Sequence, residues 1–166
     1  MTVADERPLD LPELFRALAE HGVEYLVIGG VAAQVHGRRR TTRDLDVTPA
    51  PDPENFERLA AALVALEAHP VELGPSAPTP TAEQLRIAPI VPPLRTRHGE
   101  LHILKDVPGA TTYAVMRTRA LTTDLDGIVM HIVGIDDLLR MKRATGRPGD
   151  IEDIEALMRV AQLETN

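Results

Sequence analysis

Apolar residues follow helical spacing in some stretches of the chain and form strand-like runs in others. Residues 11–18 carry leucine and phenylalanine at the spacing of one helix face, between a capping sequence at residues 10–13 and a stop at His21-Gly22. Residues 23–28 form a short, mostly apolar run typical of a buried strand, and residues 44–48 form a second strand-like run. The first part of the chain therefore predicts a helix and two strands, and a glycine turn with a short helix separates the strands.

The remaining pattern predicts one long helix, a loop, two hairpins and two final helices. The long helix spans residues 52–68, because Asp52 and Pro53 form a helix start and apolar residues then recur on one face. Residues 70–93 are rich in proline and are predicted to form a loop, with a short helix at about residues 81–86. The other elements are hairpins at 95–105 and 120–133, a helical turn at 111–117, and helices from 135 and 150. The last helix is expected to have one apolar face, formed by Ile151, Ile154, Leu157 and Met158.

The length, composition and net charge of the chain restrict the classes of protein to which it can belong. The chain has 166 residues, of which 43% are hydrophobic, so we predict a single domain over residues 1–166 with a loose tail at residues 1–9. The absence of cysteine excludes disulfides and thiolate metal sites. The sequence has neither an apolar run of about 18 residues, the length of a membrane span, nor a secretion signal, so we expect a cytoplasmic protein. The net charge of −7 excludes a nucleic-acid coat protein, and any phosphate contact must come from a local basic patch.

The stretch from residue 25 to residue 49 carries the candidate chemistry. Asp44 and Asp46 are two residues apart on a strand, so both side chains point to the same face. Neighbouring carboxylates repel each other, and a divalent cation relieves that repulsion. Upstream, Gly29 and Gly30 form a strand-to-helix turn at which backbone N–H groups can approach a phosphate. By themselves the glycines also fit a plain tight turn, and the aspartates also fit a solvated strand end.

Two longer motifs resemble a known family. They read Gly29-Gly30-x-Ala32-x3-His36-Gly37-x2-Arg40-x-Thr42-x-Asp44-x-Asp46 and Asp137-Leu138-Leu139-x2-Lys142-x4-Arg147-Pro148-x-Asp150-x2-Asp153-Ile154. Together they resemble small nucleotidyltransferase-fold proteins of the polymerase-β superfamily, most of all the prokaryotic group that includes abortive-infection (AbiE, MenT-type) toxins. The resemblance covers roughly residues 20–160. It implies an α+β protein with the minimal nucleotidyltransferase fold: a mixed β-sheet, flanking helices and a helical C-terminal pair.

The resemblance also implies roles for individual residues. Gly29 and Gly30 would shape the loop that holds the phosphates of a nucleoside triphosphate (NTP). Asp44 and Asp46 would be catalytic and bind Mg²⁺, with Mn²⁺ as an alternative. The further nucleotide-binding residues that it implies are Arg40, Thr42, Lys142 and Arg147.

Each of these residues also has a plainer interpretation. The arginines of residues 38–43 fit a solvated edge with ion pairs, and Lys142 fits an exposed helix position. Asp150 is expected to cap the last helix rather than to take part in catalysis. His36 is expected to be structural, as a residue at a helix end that bonds a backbone carbonyl.

The chain departs from the family pattern at the third carboxylate. In relatives that acid lies on a later strand, at the position that His102 occupies here. The resemblance therefore makes His102 the third catalytic candidate. Histidine is a poor ligand for Mg²⁺, but it can act as a general base near neutral pH. Glu100 lies two residues earlier on the same strand face and is an alternative substitute for the missing acid.

The function implied is Mg²⁺-dependent transfer of a nucleoside monophosphate from an NTP to a hydroxyl group. The acceptor would be RNA or tRNA, a protein or a small molecule, and the protein could have a cognate partner in a toxin–antitoxin pair. Because His102 replaces an acid, a second hypothesis stays open. It is a catalytically silent module of the same fold that binds a nucleotide or a protein partner.

Overall fold

The computed structural model describes residues 8–164 as a seven-stranded sheet flanked by helices. The helices are α1 (Leu11–Glu20), α2 (Gly29–Val35), α3 (Pro53–Ala65), α4 (Ala82–Ile87), α5 (Tyr113–Thr118), α6 (Ile135–Thr145) and α7 (Pro148–Glu164). The strands are β1 (Tyr25–Ile28), β2 (Asp44–Pro49), β3 (His69–Pro70), β4 (Leu94–Thr96), β5 (Gly99–Ile103), β6 (Leu121–Leu125) and β7 (Ile128–Ile132). The predicted order of helices and strands is therefore largely confirmed, including both hairpins.

The strands are arranged in the order β3-β4-β5-β2-β1-β7-β6. Strand β2 lies at the centre, antiparallel to β1 and parallel to β5. Strand β1 is parallel to β7, and the outer pairs β3–β4, β4–β5 and β6–β7 are antiparallel. The predicted α+β class and the mixed sheet are confirmed. The parallel β2–β5 pair is the one that builds the site, because it sets two distant segments of the chain side by side.

The core lies between this sheet and the first long helices. All four residues of β1 are buried. Each helix buries the face that its spacing predicts: Leu14, Phe15 and Leu18 on α1, and Phe56, Leu59 and Leu63 on α3. Truncating one fully buried leucine to alanine typically costs about 2–5 kcal/mol, so this cluster is sufficient to hold the central strands in fixed positions.

Helix α3 ends earlier than the sequence pattern predicts, at Ala65 instead of about Ala68. Glu67 adopts a positive φ of 56°, and the N–H of Ala68 donates to the carbonyl of Leu63. This is the usual geometry by which a left-handed residue closes a helix. Because Leu66 and Ala68 remain buried after the helix has ended, apolar spacing alone does not reveal the boundary.

The proline-rich segment contains more structure than a loop. Helix α4 is confirmed where the sequence predicts it, and Thr81 and Gln84 form a complete capping box at its start. The short strand β3 was not predicted; it pairs with β4 through two residues and is too short to give a pattern of its own. The segment is therefore attached to the edge of the sheet.

The expected apolar face of α7 is wrong in part. Leu157 is fully buried, but Ile151 and Met158 are 51% and 42% exposed. The buried side of the helix instead carries two carboxylates, Asp150 and Asp153. These acids face a lysine of α6, so an ionic contact, rather than apolar packing alone, decides which side of α7 turns inward.

Most of the predicted loose tail, residues 1–7, lies outside the described residues. Of the rest of the tail, Leu9 packs partly against the core, and the N–H of Asp10 donates to the carbonyl of His98. Within residues 8–164, no helix has the combination of length and apolar character that a bilayer crossing needs.

A buried carboxamide joins the start of α3 to the start of β1. Asn55 is fully buried, and its amide group accepts from the N–H of Glu24 and donates to the carbonyl of the same residue, each at 2.8 Å. It also donates to the carbonyl of Ala50 at 3.0 Å. The side chain of Asp52, the expected cap of α3, makes no capping bond, so Asn55 fixes this corner instead.

We predict that Asn55→Ala destabilises the fold by about 2 kcal/mol, because the three hydrogen bonds from its buried side chain to backbone groups of Glu24 and Ala50 are lost. Urea denaturation measures this as a lower midpoint with an unchanged slope. The exposed neighbour Glu57→Ala on the same helix is the control and should shift the midpoint little. Equal stability of the Asn55 variant and the wild type would contradict the structural role.

Candidate functional site

The register of the central strands places three candidate residues together. Asp46 of β2 lies opposite Ile28 of β1 on one side and opposite His102 of β5 on the other. Asp44 lies opposite Glu100 in the same β2–β5 pair. Since alternate residues of a strand share a face, all four polar side chains project from the same side of the sheet.

His102 is at the centre of this group. Its Nδ1 lies 3.0 Å from Oδ1 of Asp46, and its Nε2 lies 3.1 Å from Oε1 of Glu100 and 4.0 Å from Oδ2 of Asp44. One imidazole therefore contacts three carboxylates. We refer to Asp44, Asp46, His102 and Glu100 as the acidic wall.

The acidic wall carries crowded negative charge. Burial raises the pKa of Asp44, and the neighbouring Asp46 carboxylate raises it further. Interaction with Asp46 raises the pKa of His102 to about 9 against the opposing effect of burial, and the contact with Glu100 adds to the rise. Both contacts favour the imidazolium form of His102, whose positive charge offsets part of the repulsion between the carboxylates.

The glycine turn is fitted closely around these groups. Gly29 has a φ of +67°, and a Cβ atom at this position would lie 2.1 Å from Oδ2 of Asp46. A Cβ atom at Gly30 would lie 2.9 Å from Oγ1 of Thr42. Both glycines are needed because β1 must turn into α2 directly against the carboxylate of Asp46 and the hydroxyl of Thr42.

A set of basic residues faces the acidic wall. Asp153 of α7 is fully buried and receives three cations: Lys142 Nζ at 2.8 Å, Arg40 Nη1 at 2.9 Å and Arg38 Nε at 3.0 Å. Burial opposes ionisation, but the hydrogen bonds from Lys142 and Arg38 hold the pKa of Asp153 below its ordinary value. Asp153 is therefore an anion around which Lys142 and the two arginines are assembled.

Asp150 holds the fourth basic side chain, that of Arg147, in place. Its Oδ2 accepts from the N–H and the Nε of Arg147 and from the hydroxyl of Thr145. The bond to the backbone N–H of Arg147 caps the start of α7, as expected for Asp150, and the carboxylate also lies 3.6 Å from Lys142. Arg147 is held through one edge of its guanidinium, and its side chain remains 76% exposed. We refer to Arg38, Arg40, Lys142 and Arg147, with Asp150 and Asp153, as the basic wall.

The two walls enclose a polar cavity of about 430 Å³. It is lined by all nine residues that the sequence singled out: Gly29, Gly30, Arg40, Thr42, Asp44, Asp46, His102, Lys142 and Arg147. A second, more apolar cavity of about 460 Å³ adjoins it, bordered by residues 89–91 and 103–108 and sharing Asp46 and His102. The structure thus brings the predicted residues together, while their individual roles stay predictions.

The acidic wall fits a divalent cation. One ligand atom from each of Asp44, Asp46 and His102 lies within 4.8 Å of the other two. Oδ1 of Asp46 is buried and, among the described residues, has no hydrogen bond of good geometry despite its contact with His102. A donor set of two carboxylates and one imidazole suits Mn²⁺ and other transition metals better than Mg²⁺, which prefers oxygen ligands. The predicted metal site therefore has suitable ligands, with a preference shifted by His102.

Solved structures share the fold of this chain. The crystal structure of ANT(2″)-Ia in complex with adenylyl-2″-tobramycin matches with a TM-score of 0.58 at 13% identity, over 93% of this chain and 89% of that one. An antigenic nucleotidyltransferase-like protein from Paracoccidioides brasiliensis matches with 0.54 at 19% identity, over 92% and 78%. A protein from Thermotoga maritima matches with 0.51 at 11% identity, over 94% and 91%.

These similarities confirm the predicted nucleotidyltransferase fold. No protein-family model and no curated protein matches the sequence. At such low identities the solved structures support the architecture alone. The finer resemblance to the AbiE and MenT-type group therefore stays a prediction.

Sequence reasoning gave no role to two residues of the basic wall. Arg38 belongs to the arginines for which a solvated edge is predicted, and Asp153 belongs to the second motif but has no predicted function. The spacing of Asp150 and Asp153, three residues apart on a helix, was an available signal that both carboxylates share one face. The structural role expected for His36 is confirmed, since its Nε2 bonds the carbonyl of Val133 at 2.8 Å.

We predict that Gly29→Ala abolishes metal binding at the acidic wall, because the added methyl group would collide with Asp46 and the positive φ would be strained. Titration of Mn²⁺, followed by its electron paramagnetic resonance signal, measures the affinity directly. Gly74→Ala is the matched control, since Gly74 also has a positive φ but faces open space. Mn²⁺ affinity equal to that of the control would contradict the arrangement.

Proposed function

We propose that this protein is a metal-dependent nucleotidyltransferase, which transfers a nucleoside monophosphate from an NTP to a hydroxyl group. The observation that carries the proposal is that the acidic and basic walls face each other across one cavity, next to the turn at Gly29 and Gly30. A metal-bound triphosphate needs both kinds of wall, because its cation is held by carboxylates and its phosphate oxygens by cations.

The basic wall would bind the triphosphate. Four basic side chains pair with three carboxylates, Asp150, Asp153 and the exposed Glu152, so positive charge is left over on a protein whose net charge is −7. Arg40 and Arg147 are partly exposed toward the cavity, and a guanidinium that bonds one carboxylate keeps further N–H donors for phosphate oxygens. Lys142 is buried behind them and contributes a point charge.

The acidic wall would hold the metal through Asp44 and Asp46, with His102 as the third ligand. A divalent cation there supplies charge neutralisation and alignment for the reacting phosphate. In the reaction, the acceptor oxygen bonds to the α-phosphorus, the bond to the β-phosphate oxygen breaks, and pyrophosphate leaves. The acceptor hydroxyl must lose its proton in this step, and Glu100 could accept it, as could His102 in a complex in which its ring nitrogens do not bind the metal.

A general-base role for His102 requires its neutral form. In the protein without metal, its contacts with Asp46 and Glu100 favour the charged form. Positive charge bound between Asp44 and Asp46 would oppose a second positive charge on the neighbouring imidazole. Metal binding and the availability of His102 as a base are therefore coupled by simple electrostatics.

The acceptor is an open part of the proposal. The neighbour crystallised with an adenylylated tobramycin gives a precedent for a small-molecule acceptor, and the adjoining apolar cavity offers space for one. RNA, including tRNA, and a protein hydroxyl are the other acceptors, and the exposed arginines of residues 39–43 would suit a polyanion. The resemblance to toxins would make a cognate partner protein the expected regulator.

A second function is favoured by one observation, the histidine at the place of the third acid. With His102 charged between three carboxylates, the acidic wall is partly neutralised without any metal. A catalytically silent module that binds a nucleotide, or a protein partner, would use the same cavity without transfer.

We predict that the protein transfers label from an α-labelled NTP to an acceptor in the presence of Mn²⁺ or Mg²⁺. Each of the four NTPs is incubated with total tRNA, with a metabolite extract and with no addition, and labelled products are separated by electrophoresis and chromatography. Asp44→Ala should abolish the labelling, and the exposed Asp52→Ala should preserve it. Nucleotide binding without transfer for any metal would favour the silent module.

We further predict that His102→Asp restores Mg²⁺ as the preferred metal and raises the Mg²⁺-dependent rate at least several-fold, because a carboxylate is the better ligand for that ion. The comparison is the ratio of rates with Mg²⁺ and with Mn²⁺ in each protein. His69→Asp, at the edge of the sheet, controls for the change in charge. An unchanged ratio and an unchanged Mg²⁺ affinity would exclude position 102 from the metal site.

A further inference from the structure

One buried carboxylate lies behind the residues proposed to bind phosphate. Asp153 is completely inaccessible to solvent, yet the cavity residues Arg40 and Lys142 both donate to its Oδ2, at 2.9 and 2.8 Å. Its other oxygen, Oδ1, accepts from Arg38 at 3.0 Å. A single acid thus determines where the two proposed phosphate-binding side chains lie.

These contacts join three separate parts of the chain. Arg38 and Arg40 lie in the segment between α2 and β2, Lys142 lies on α6, and Asp153 lies on α7. Among the described contacts, Gln34 also holds this segment, through a hydrogen bond to the carbonyl of Arg40. The C-terminal helix therefore fixes the segment that leads into Asp44 and the acidic wall.

The contacts with Asp153 leave several N–H donors of Arg40 available to a ligand. Arg40 uses Nη1 for Asp153 and is 44% exposed, so its other N–H groups remain available on the cavity side. Fixing a free arginine or lysine side chain costs rotamer entropy, and here much of that cost is met before any ligand binds. An anion entering the cavity would meet cations already held in place.

We propose that Asp153 is a positioning residue, which holds Arg40 and Lys142 in the geometry that binds the phosphate chain of the substrate. The inference rests on the proposed function for the identity of that substrate. It assigns to α7 a direct part in the site, in addition to its packing on α6.

The direction in which anion affinity changes when Asp153 is neutralised distinguishes positioning from two simpler roles. If Asp153 only neutralised the basic wall, its removal would leave more positive charge and an anion would bind more tightly. If it only stabilised the fold, binding by the folded variant would not change. Positioning predicts that the anion binds more weakly although the cavity has become more positive.

The probe is inorganic tripolyphosphate, titrated calorimetrically in the presence of a chelator so that the acidic wall and its metal do not contribute. We expect Asp153→Asn to weaken binding at least fivefold at a temperature where circular dichroism shows the variant folded. Glu152→Gln removes the same charge from the adjacent, 75% exposed position, whose carboxylate lies 3.9 Å from Arg38, and it should bind within twofold of the wild type because the phosphate-binding side chains keep their contacts with Asp153. Tighter or equal binding by Asp153→Asn would overturn the proposal.

Two further variants test the positioning role independently of the loss of charge in Asp153→Asn. Asp153→Glu retains the charge but displaces the carboxylate, so it should also bind tripolyphosphate more weakly; unchanged binding would contradict positioning. In the double variant with Arg40→Met, the loss should be smaller than the sum of the single losses, because both changes remove one arrangement. If neither Asp153 variant folds, Asp153 has only a structural role and the inference is overturned.

The outcome is distinguishable from failure of the proposed function. If no NTP supports transfer but tripolyphosphate binding still depends on Asp153, the enzyme proposal fails and the positioned anion site remains. If the wild type transfers label but Asp153→Asn has a normal KM, the positioning role fails alone. For an active enzyme we expect the variant to raise KM more than it lowers kcat.

Discussion

The parallel pairing of β2 with β5 is the constraint on which the rest of the site depends. It sets Asp46 opposite His102 and Asp44 opposite Glu100, although residues 50–98, which form two helices and two other strands, separate β2 from β5 in the sequence. One polar face of the sheet consequently gathers three carboxylates around one imidazole. A shift of the register by one residue would send these side chains to the opposite face and destroy the arrangement.

The basic wall is arranged differently. Its central anion, Asp153, is buried, and some of the cations around it are exposed. Burying a carboxylate is costly unless it is fully paired, and Asp153 has three cationic partners. The pairing draws α6, α7 and the segment before β2 together, while Arg40 and Arg147 remain partly exposed. The same contacts therefore close the C-terminal half of the fold and leave a positively charged surface toward the acidic wall.

The geometry of the site could be predicted from the sequence wherever a local pattern of residues determines it. Strand alternation was sufficient to place Asp44 and Asp46 on one face, and the motif around Gly29 was sufficient to predict a close turn beside them. Prediction from the sequence failed where a polar residue is buried for the sake of a distant partner: Asn55 bonds backbone groups of Glu24 and Ala50, and Asp153 turns α7 inward. Such residues read as surface positions in a hydropathy pattern, because their burial depends on contacts that only the folded chain creates.

The histidine at position 102 gives the acidic wall a different balance of charge from the acid that the family resemblance predicts there. A carboxylate there would add negative charge to a wall that already has three acids, and a cation would be needed to hold them together. An imidazolium supplies part of that positive charge itself, since it bonds Glu100 and contacts Asp46. Metal and imidazolium therefore compete for the same oxygens. If the site binds a nucleoside triphosphate, as we propose, that ligand would favour the metal, because a triphosphate itself binds divalent cations.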